Sequence, residues 1–166
     1  MDAGLLIARV VIGLLFAAHG AQKLFGWLGG YGLDGTGGYF EQLGFRPGRL
    51  FALAAGLGEL SSGLLVALGF LGPLGPALMV SVMLVAMITA HAGKGLFAAN
   101  NGIELPLLYA AAASALVLIG PGAWSLDNLF GLTAYWTPEI RVAALVVGIG
   151  GALANLAVRQ RATQTA

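Results

Sequence analysis

The sequence predicts an all-α fold, a transmembrane four-helix bundle with an additional C-terminal fifth span. Of the 166 residues, 58% are apolar and only 9% are charged, whereas a typical soluble domain carries about 25% charged residues. Five windows also contain the roughly 20 mostly apolar residues that a helix needs to cross a bilayer. So few charges cannot coat a soluble body of this size, so we expect the chain to lie in a membrane.

The five predicted spans belong to one transmembrane domain covering residues 1–158, which is followed by a polar tail at 159–166. Pro73 and Pro138 stand in the first turn of their windows, where a missing N–H costs nothing. The first window is interpreted as a retained helix because Arg9 lies inside the apolar run and no cleavage site follows it. The windows cover residues of about 4–25, 49–70, 73–92, 103–120 and 138–158.

Composition excludes several functional classes. The chain has no cysteine, which rules out a disulfide framework and a thiolate metal site. Its formal net charge of +1 gives no field that would attract nucleic acid. The sequence contains no phosphate-binding loop, dinucleotide-binding glycine pattern, nucleophile elbow or zinc motif. No metal and no nucleic-acid partner is therefore predicted.

The loops between the windows differ in length and charge. Loop 1, residues 26–48, is rich in glycine and is predicted to hold a short helix around 38–43. Cytoplasmic loops carry an excess of Lys and Arg, and loops 1 and 3 and the C-terminus hold six of these residues against two on the other side. The distribution predicts a multi-pass protein of the cell membrane with its N-terminus outside. The six are Lys23, Arg46, Arg49, Lys94, Arg159 and Arg161, and the two are Arg9 and Arg141.

Ionisable residues inside the predicted spans are the main functional candidates. Each costs about 2.5 to 3.5 kcal/mol on insertion scales, and such residues face the bundle interior and have partners. Glu59 and His19 are the candidate catalytic residues, because each can exchange a proton. The candidate ligand-binding residues are Arg9, Lys23, His91 and Glu104.

Helical spacing in the first span separates a polar stripe from a stripe of small residues. At about 100° per residue, Arg9, His19 and Lys23 fall within an arc of roughly 80°. The adjacent stripe contains Gly13, Ala17 and Ala21, which permits close packing of a second helix. The first span is therefore predicted to be a core helix.

Glu59 lies near the middle of the second span, where it requires a partner, a proton or water. A rise of 1.5 Å per residue puts Glu59 roughly 15 Å from the loop 1 side, His19 roughly 9 Å and Arg9 roughly 24 Å. We therefore expect an Arg9–Glu59 pair, with His19–Glu59 as the second choice. Near the loop 1 and loop 3 face, a second cluster is expected from Lys23, His91 and Glu104.

Each of these residues also has an interpretation without a ligand. The Arg9–Glu59 pair would fix helix register only, and Lys23 would reach toward lipid headgroups. His19 and His91 would either hydrogen-bond within the core or ligate a haem between two imidazoles. Glu104 would be a favourable charge at a helix N-terminus, and Asp127 would cap a turn.

Several segments carry a resemblance to a known family. Their order and spacing are similar to those of the DoxX family of small bacterial and archaeal membrane proteins, over roughly Leu5–Asp127. The segments are Leu5–Arg9 with Gly13–Phe16, His19–Trp27, Gly56–Glu59 with Gly63, His91, and Gly102–Pro106 with Gly120–Asp127.

The resemblance implies a four-helix transmembrane bundle. Arg9, Lys23, Glu59 and Asp127 fall on the recurring polar positions of the family, and the motif Gly120, Pro121, Gly122 precedes Asp127. Members are linked to thiosulfate:quinone oxidoreductase, in which a DoxX-type subunit partners a second membrane subunit, and to complexes that handle thiol and oxidative stress. This chain departs from the pattern because it continues into a fifth span and has no cysteine.

Three functions remain open at the level of the sequence. A subunit of a membrane redox complex would use the buried polar cluster to bind a quinone headgroup or a small sulfur oxyanion, beside a second membrane subunit or a redox enzyme. A small proton-coupled transporter would use Glu59 as a relay, and homo-oligomers would supply the path. A non-catalytic scaffold would use the buried charges only to hold the bundle.

Overall fold

The computed structural model describes residues 2–160, and every regular element in that range is helical. The prediction of an all-α fold is therefore confirmed. Part of the predicted tail, including Arg161, lies outside the described residues. The helices are α1 Asp2–Phe25, α2 Gly32–Gln42, α3 Gly48–Leu68, α4 Leu74–Ala86 with a π-helical turn Met87–His91, α5 Glu104–Ile119, α6 Leu126–Leu129 and α7 Pro138–Ala157.

Four of these helices, α1, α3, α4 with its π-helical turn, and α7, are long and apolar enough to cross a membrane. Their outer surfaces expose large apolar side chains such as Val11, Leu14 and Val147, as expected for helices in contact with lipid. The chain is therefore a multi-pass membrane protein. The helix at the fourth predicted span, α5, has only 16 residues and measures about 24 Å against a hydrocarbon core of about 30 Å.

The most extensive helix contact among the described residues joins α1 to α3. A methyl group on Gly13 would collide with the backbone of Gly63 and Ala67, and one on Gly20 would collide with the backbone of Gly56 and Leu60. The absence of side chains at these glycines lets the two backbones touch. The predicted stripe of small residues on the first span does pack against a helix, as Ala17 lies against Gly63.

The apolar core lies between α1, α3, α4 and α5, and α4 is its central helix. Phe16 of α1 is fully buried and meets Tyr109 of α5, with ring centroids 5.2 Å apart. Met79 of α4 is also fully buried. Helix α7 packs against the other side of α4 and buries little of its own surface, with Ala152 as its buried residue.

Helix α2 is longer than the short helix predicted within loop 1, and it covers the start of α3. Its Gly37 lies against the backbone of Arg49, and its Glu41 carboxylate accepts a hydrogen bond of 3.2 Å from the Gly48 N–H. The end of α7 holds the residues that directly follow α2. Arg159 Nε donates to Leu43 O at 2.6 Å, and the backbone N–H of residue 160 donates to the carbonyl oxygen of residue 44 at 2.9 Å.

We predict that Gly13→Ala destabilises the protein, because the new methyl group would meet the backbone of α3. The expected loss in unfolding free energy is about 1–3 kcal/mol, the range for overpacked cores. The measurement is thermal unfolding in mild detergent, followed by circular dichroism. Gly4→Ala is the control, because a methyl group there meets nothing within 4 Å and Ala favours the helix. Equal unfolding temperatures for the two variants would contradict the close α1–α3 contact.

Candidate functional site

A buried ion pair joins α1 to α3. Lys23 Nζ donates to Glu59 Oε2 at 2.6 Å, and the Glu59 side chain is only 4% exposed. Side chains on a helix lean toward its N-terminus, so Lys23, two residues before the end of α1, points back toward the level of Glu59. A charge-assisted hydrogen bond of this length is strong, and it supplies the partner that a carboxylate inside a span requires.

The predicted Arg9–Glu59 pair is wrong, because the two helices are offset along their axes. A methyl group on Gly56 would meet Lys23 and Leu24, so Gly56 lies level with the end of α1. The first eight residues of α3 therefore extend about 12 Å beyond α1. Glu59 is consequently only about one turn below the end of α1, far from Arg9.

His19, the second-choice partner of Glu59, lies in the same part of α1 but is hydrogen-bonded elsewhere. Its Nδ1 is 3.2 Å from Gln22 Oε1, and Gln22 Nε2 donates to Leu28 O at 3.1 Å. The imidazole edge also packs against the ring of Tyr109, with centroids 6.0 Å apart. These contacts fix the His19 ring between α1 and α5 and tie it to the turn after α1.

The ion pair lines a cavity of about 940 Å³ that lies between α2, α3, α4 and α7. The α4 wall runs from Leu78 to His91, a length of about 20 Å at 1.5 Å per residue. Apolar side chains form much of the lining, and polar groups lie along it. The apolar side chains include Phe40, Phe51, Leu78, Val82 and Val85, and the polar ones include Lys23, Asp34, Glu59, His91 and Lys94.

The predicted cluster of Lys23, His91 and Glu104 forms only in part. Lys23 and His91 both line the cavity, together with Lys94. Glu104 does not line it and instead folds loop 3, since its Oε2 accepts a hydrogen bond of 2.7 Å from the Ala98 N–H. A carboxylate in the first turn of a helix can reach free N–H groups of the preceding loop. Glu104 therefore accepts a hydrogen bond from loop 3 and does not join Lys23 and His91.

His91 ends the π-helical turn of α4 and is held by loop 3. Its Nδ1 is 2.7 Å from the carbonyl oxygen of Asn101. The two histidines therefore have separate surroundings, with His19 between α1 and α5 and His91 at the cavity. The structure gives no support to a haem held between them. Within residues 2–160, no group of three His, Asp or Glu side chains forms a metal site.

A second polar cluster surrounds Asp127 at the opposite end of the bundle. The fully buried Asp127 carboxylate accepts hydrogen bonds from the N–H groups of Leu71 and Gly72, at 2.8 and 2.5 Å, and from Trp136 Nε1 at 2.8 Å. Leu71 has a positive φ of 58°, a conformation that points its N–H at the carboxylate. Asp127 therefore joins the α3–α4 turn to loop 4.

Arg9 belongs to this second cluster. Its side chain is buried beside Asp127, and its Nη2 donates to the carbonyl oxygen of Trp124. A methyl group on Gly69 would collide with the guanidinium, so Gly69 leaves the space that Arg9 occupies. Arg9 thus holds loop 4 against the end of α3 and does not reach the large cavity.

The predicted motif Gly120, Pro121, Gly122 forms the turn that leads α5 into this cluster. Gly120 ends α5 at φ 90° and Gly122 has φ 76°, and both conformations favour glycine. Gly122 O accepts a hydrogen bond of 2.6 Å from Ser125 Oγ. Arg141 Nη1 donates to Leu118 O and Ile119 O, both at 3.2 Å, and so satisfies carbonyl groups at the end of α5.

Among the cavity residues without a role in the sequence interpretation are two polar ones, from α4 and α7. Ser81 of α4 and Asn155 of α7 both line the cavity. A lone serine is common in membrane helices, so its spacing alone carries no signal. Asn155 is a stronger signal, because an amide near the end of an apolar helix is costly unless it meets a partner.

We predict that Asp127→Ala costs about 2–5 kcal/mol of unfolding free energy, because it leaves the buried N–H groups of Leu71, Gly72 and Trp136 without an acceptor and removes the negative charge near the buried Arg9. Thermal unfolding in detergent measures the loss. Asp34→Ala is the control, since the Asp34 side chain is 85% exposed and lies 3.3 Å from Arg49, and an exposed pair contributes about 0–1 kcal/mol. Similar losses for the two variants would contradict a structural role of Asp127.

We also predict that Lys23→Met destabilises the protein more than the double substitution Lys23→Met with Glu59→Met. The single variant leaves Glu59 buried without a counter-charge, which costs about 3–5 kcal/mol, whereas replacing both charges by apolar groups is close to neutral. Unfolding free energies of the single and double variants test this. A double variant less stable than Lys23→Met would contradict it.

The family model described as DoxX matches residues 4–92. This range runs from the first turn of α1 to the end of the π-helical turn of α4 and covers more than half of the chain. It includes Arg9, Lys23 and Glu59, whereas α5, α6 and α7 lie outside it. No curated protein and no solved structure matches the chain.

Proposed function

This chain belongs to the DoxX family, and we propose that it is the quinone-binding subunit of a membrane redox complex. The observation that carries the proposal is the buried Lys23–Glu59 ion pair on the wall of a cavity of about 940 Å³. An acid and a base held 2.6 Å apart suit a reaction in which protons and electrons move together.

The size and lining of the cavity support a long amphipathic ligand. Small-molecule sites have volumes of about 300–1,000 Å³ and apolar walls with a few polar groups. The wall along α4 is about 20 Å long and carries Leu78, Val82 and Val85. A quinone has a polar ring and an apolar tail, so the ring would lie at the ion pair and the tail along these side chains.

The ion pair supplies groups that quinone chemistry requires. Two electrons and two protons convert the two carbonyl groups of a quinone into the two hydroxyl groups of a quinol. The Lys23 ammonium would donate a hydrogen bond to one carbonyl oxygen and stabilise the negative charge that develops there. Glu59 would pass protons to the reduced ring. With no cysteine in the chain, the electrons would come from a reduced sulfur compound oxidised on a partner subunit.

A proton-coupled conduit has less support. The Lys23–Glu59 pair and the Arg9–Asp127 cluster lie at opposite ends of the bundle, and fully buried apolar side chains, including Phe16 and Met79, lie between them. A relay across the membrane needs a chain of polar groups or water. A scaffold would need only the Arg9–Asp127 cluster, and it would leave the lined cavity without a use.

We also propose the cell membrane as the location of the protein, with loops 1 and 3 on the cytoplasmic side. The excess of Lys and Arg in these loops supports that orientation. Under it, the cavity residues Tyr31 and Lys94 would lie on the cytoplasmic side, where a partner would deliver electrons.

Direct binding of decylubiquinone to the detergent-purified protein tests the proposal. We expect saturable binding that weakens at least about tenfold in Glu59→Gln and in Val85→Trp, where the indole would take up cavity space from α4 while the ion pair on α1 and α3 stays unchanged in sequence; a tenfold change equals about 1.4 kcal/mol. Glu104→Gln is the matched control, because Glu104 lies outside the cavity and its amide oxygen can still accept from Ala98.

The unfolding temperature of each variant is measured first, so that only folded protein enters the binding experiment. Wild-type protein that fails to bind the quinone would overturn the proposal. Binding that survives Val85→Trp unchanged would place the quinone outside the cavity and would overturn it as well.

A further inference from the structure

We propose that Ser81 and Asn155 form a second polar subsite in the cavity, which binds the ring oxygen of the quinone farther from the Lys23–Glu59 pair. The inference rests on the proposed function and adds two residues that recognise the ligand. One of them lies on α7, outside the range matched by the DoxX family.

The Ser81 hydroxyl differs from the other serine and threonine hydroxyls of α3, α4 with its π-helical turn, and α5. Ser61, Ser62, Thr89 and Ser114 each donate to a carbonyl oxygen three or four residues earlier on the same helix. Ser81 makes no hydrogen bond within residues 2–160, and it lines the cavity. A hydroxyl inside a membrane bundle is costly without a partner, so its free donor is available to a ligand.

Helix packing brings Ser81 to the same height as Glu59. A methyl group on Gly58 would lie 3.5 Å from Val82 Cγ2, so adjacent residues of α3 and α4 stand level with each other. Glu59 and Ser81 both line the cavity from these neighbouring helices. The ion pair faces α1, whereas Ser81 lies on the side of α4 that meets α7, so the two polar groups lie on different walls.

Asn155 stands on the same wall as Ser81. A methyl group on Gly151 would lie 3.5 Å from Ser81 Oγ, and Asn155 follows Gly151 by about one turn on the same face of α7. Gly151 and Asn155 both line the cavity. The Asn155 amide makes no hydrogen bond to any other residue between 2 and 160, so its donor and its acceptor are both free.

The side chains of Ser81 and Asn155 suit a neutral ligand oxygen that accepts hydrogen bonds in the quinone and donates one in the quinol. The Ser81 hydroxyl and the Asn155 Nδ2 group can each donate to a quinone carbonyl, and Asn155 Oδ1 can accept from the quinol hydroxyl. The charged end of the site would hold one ring oxygen and this neutral subsite the other. The arrangement therefore predicts a preference for rings that carry two oxygens.

The test compares two probes, decylubiquinone and a decyl-substituted cyclohexenone with one carbonyl group. We expect wild-type protein to bind the quinone about tenfold more tightly, a difference of about 1.4 kcal/mol, because the one-carbonyl probe leaves buried hydrogen-bonding groups of the subsite without a partner. In the double variant Ser81→Ala with Asn155→Leu, the preference should fall to about twofold through weaker quinone binding. Ser61→Ala and Ser114→Ala are the controls, since those hydroxyls bond within their own helices.

The outcomes separate this inference from the proposed function. If wild-type protein binds the quinone and the double variant keeps the tenfold preference, the subsite is overturned and the proposed function stands. If the double variant binds both probes equally more weakly, the two residues only shape the cavity, and the inference is again overturned. If wild-type protein binds neither probe, the proposed function itself fails.

Discussion

The contact between α1 and α3 determines the position of almost every functional group in this protein. Gly13 and Gly20 let the α3 backbone come so close that no side chain separates the two helices. Such a contact permits only one register, because a slip along the axis would bring a side chain into the backbone. That register brings Lys23 to Glu59 and puts Arg9 beside the end of α3. The glycine contact between α1 and α3 therefore determines which charged side chains meet.

The sequence predicted the helical architecture well, because span length and apolar composition are local properties. It also predicted the small-residue face of α1 from spacing alone. It failed for the pairing of Arg9 and Glu59, because depth was counted from loop ends that were taken to be level. Helix α2 covers the first part of α3 and so lets α3 extend beyond α1. A non-local contact of this kind leaves no periodic signal in the sequence.

The clusters around Glu59 and Asp127 differ in their hydrogen bonding, although both contain a buried carboxylate. Asp127 has its hydrogen-bonding capacity taken up by backbone N–H groups and an indole, so it holds the fold together. Glu59 has one strong partner, Lys23, and lies on the wall of a cavity. A carboxylate with free capacity beside open space can take part in chemistry, whereas a saturated one cannot. The sequence interpretation made Glu59 a candidate catalytic residue and put Asp127 in a turn, but it could not identify the hydrogen-bond partners of either carboxylate, because those partners lie far away along the chain.

The position of α7 has a consequence for how the site is made. The cavity walls on α2, α3 and α4 precede it in the chain, and α7 supplies the last wall and the hydrogen bonds that hold the residues directly following α2. Until α7 docks during membrane insertion, the apolar groove along α4 is open to the bilayer. The helix that completes the cavity therefore also displaces lipid from the groove, and correct docking of α7 decides whether the cavity forms.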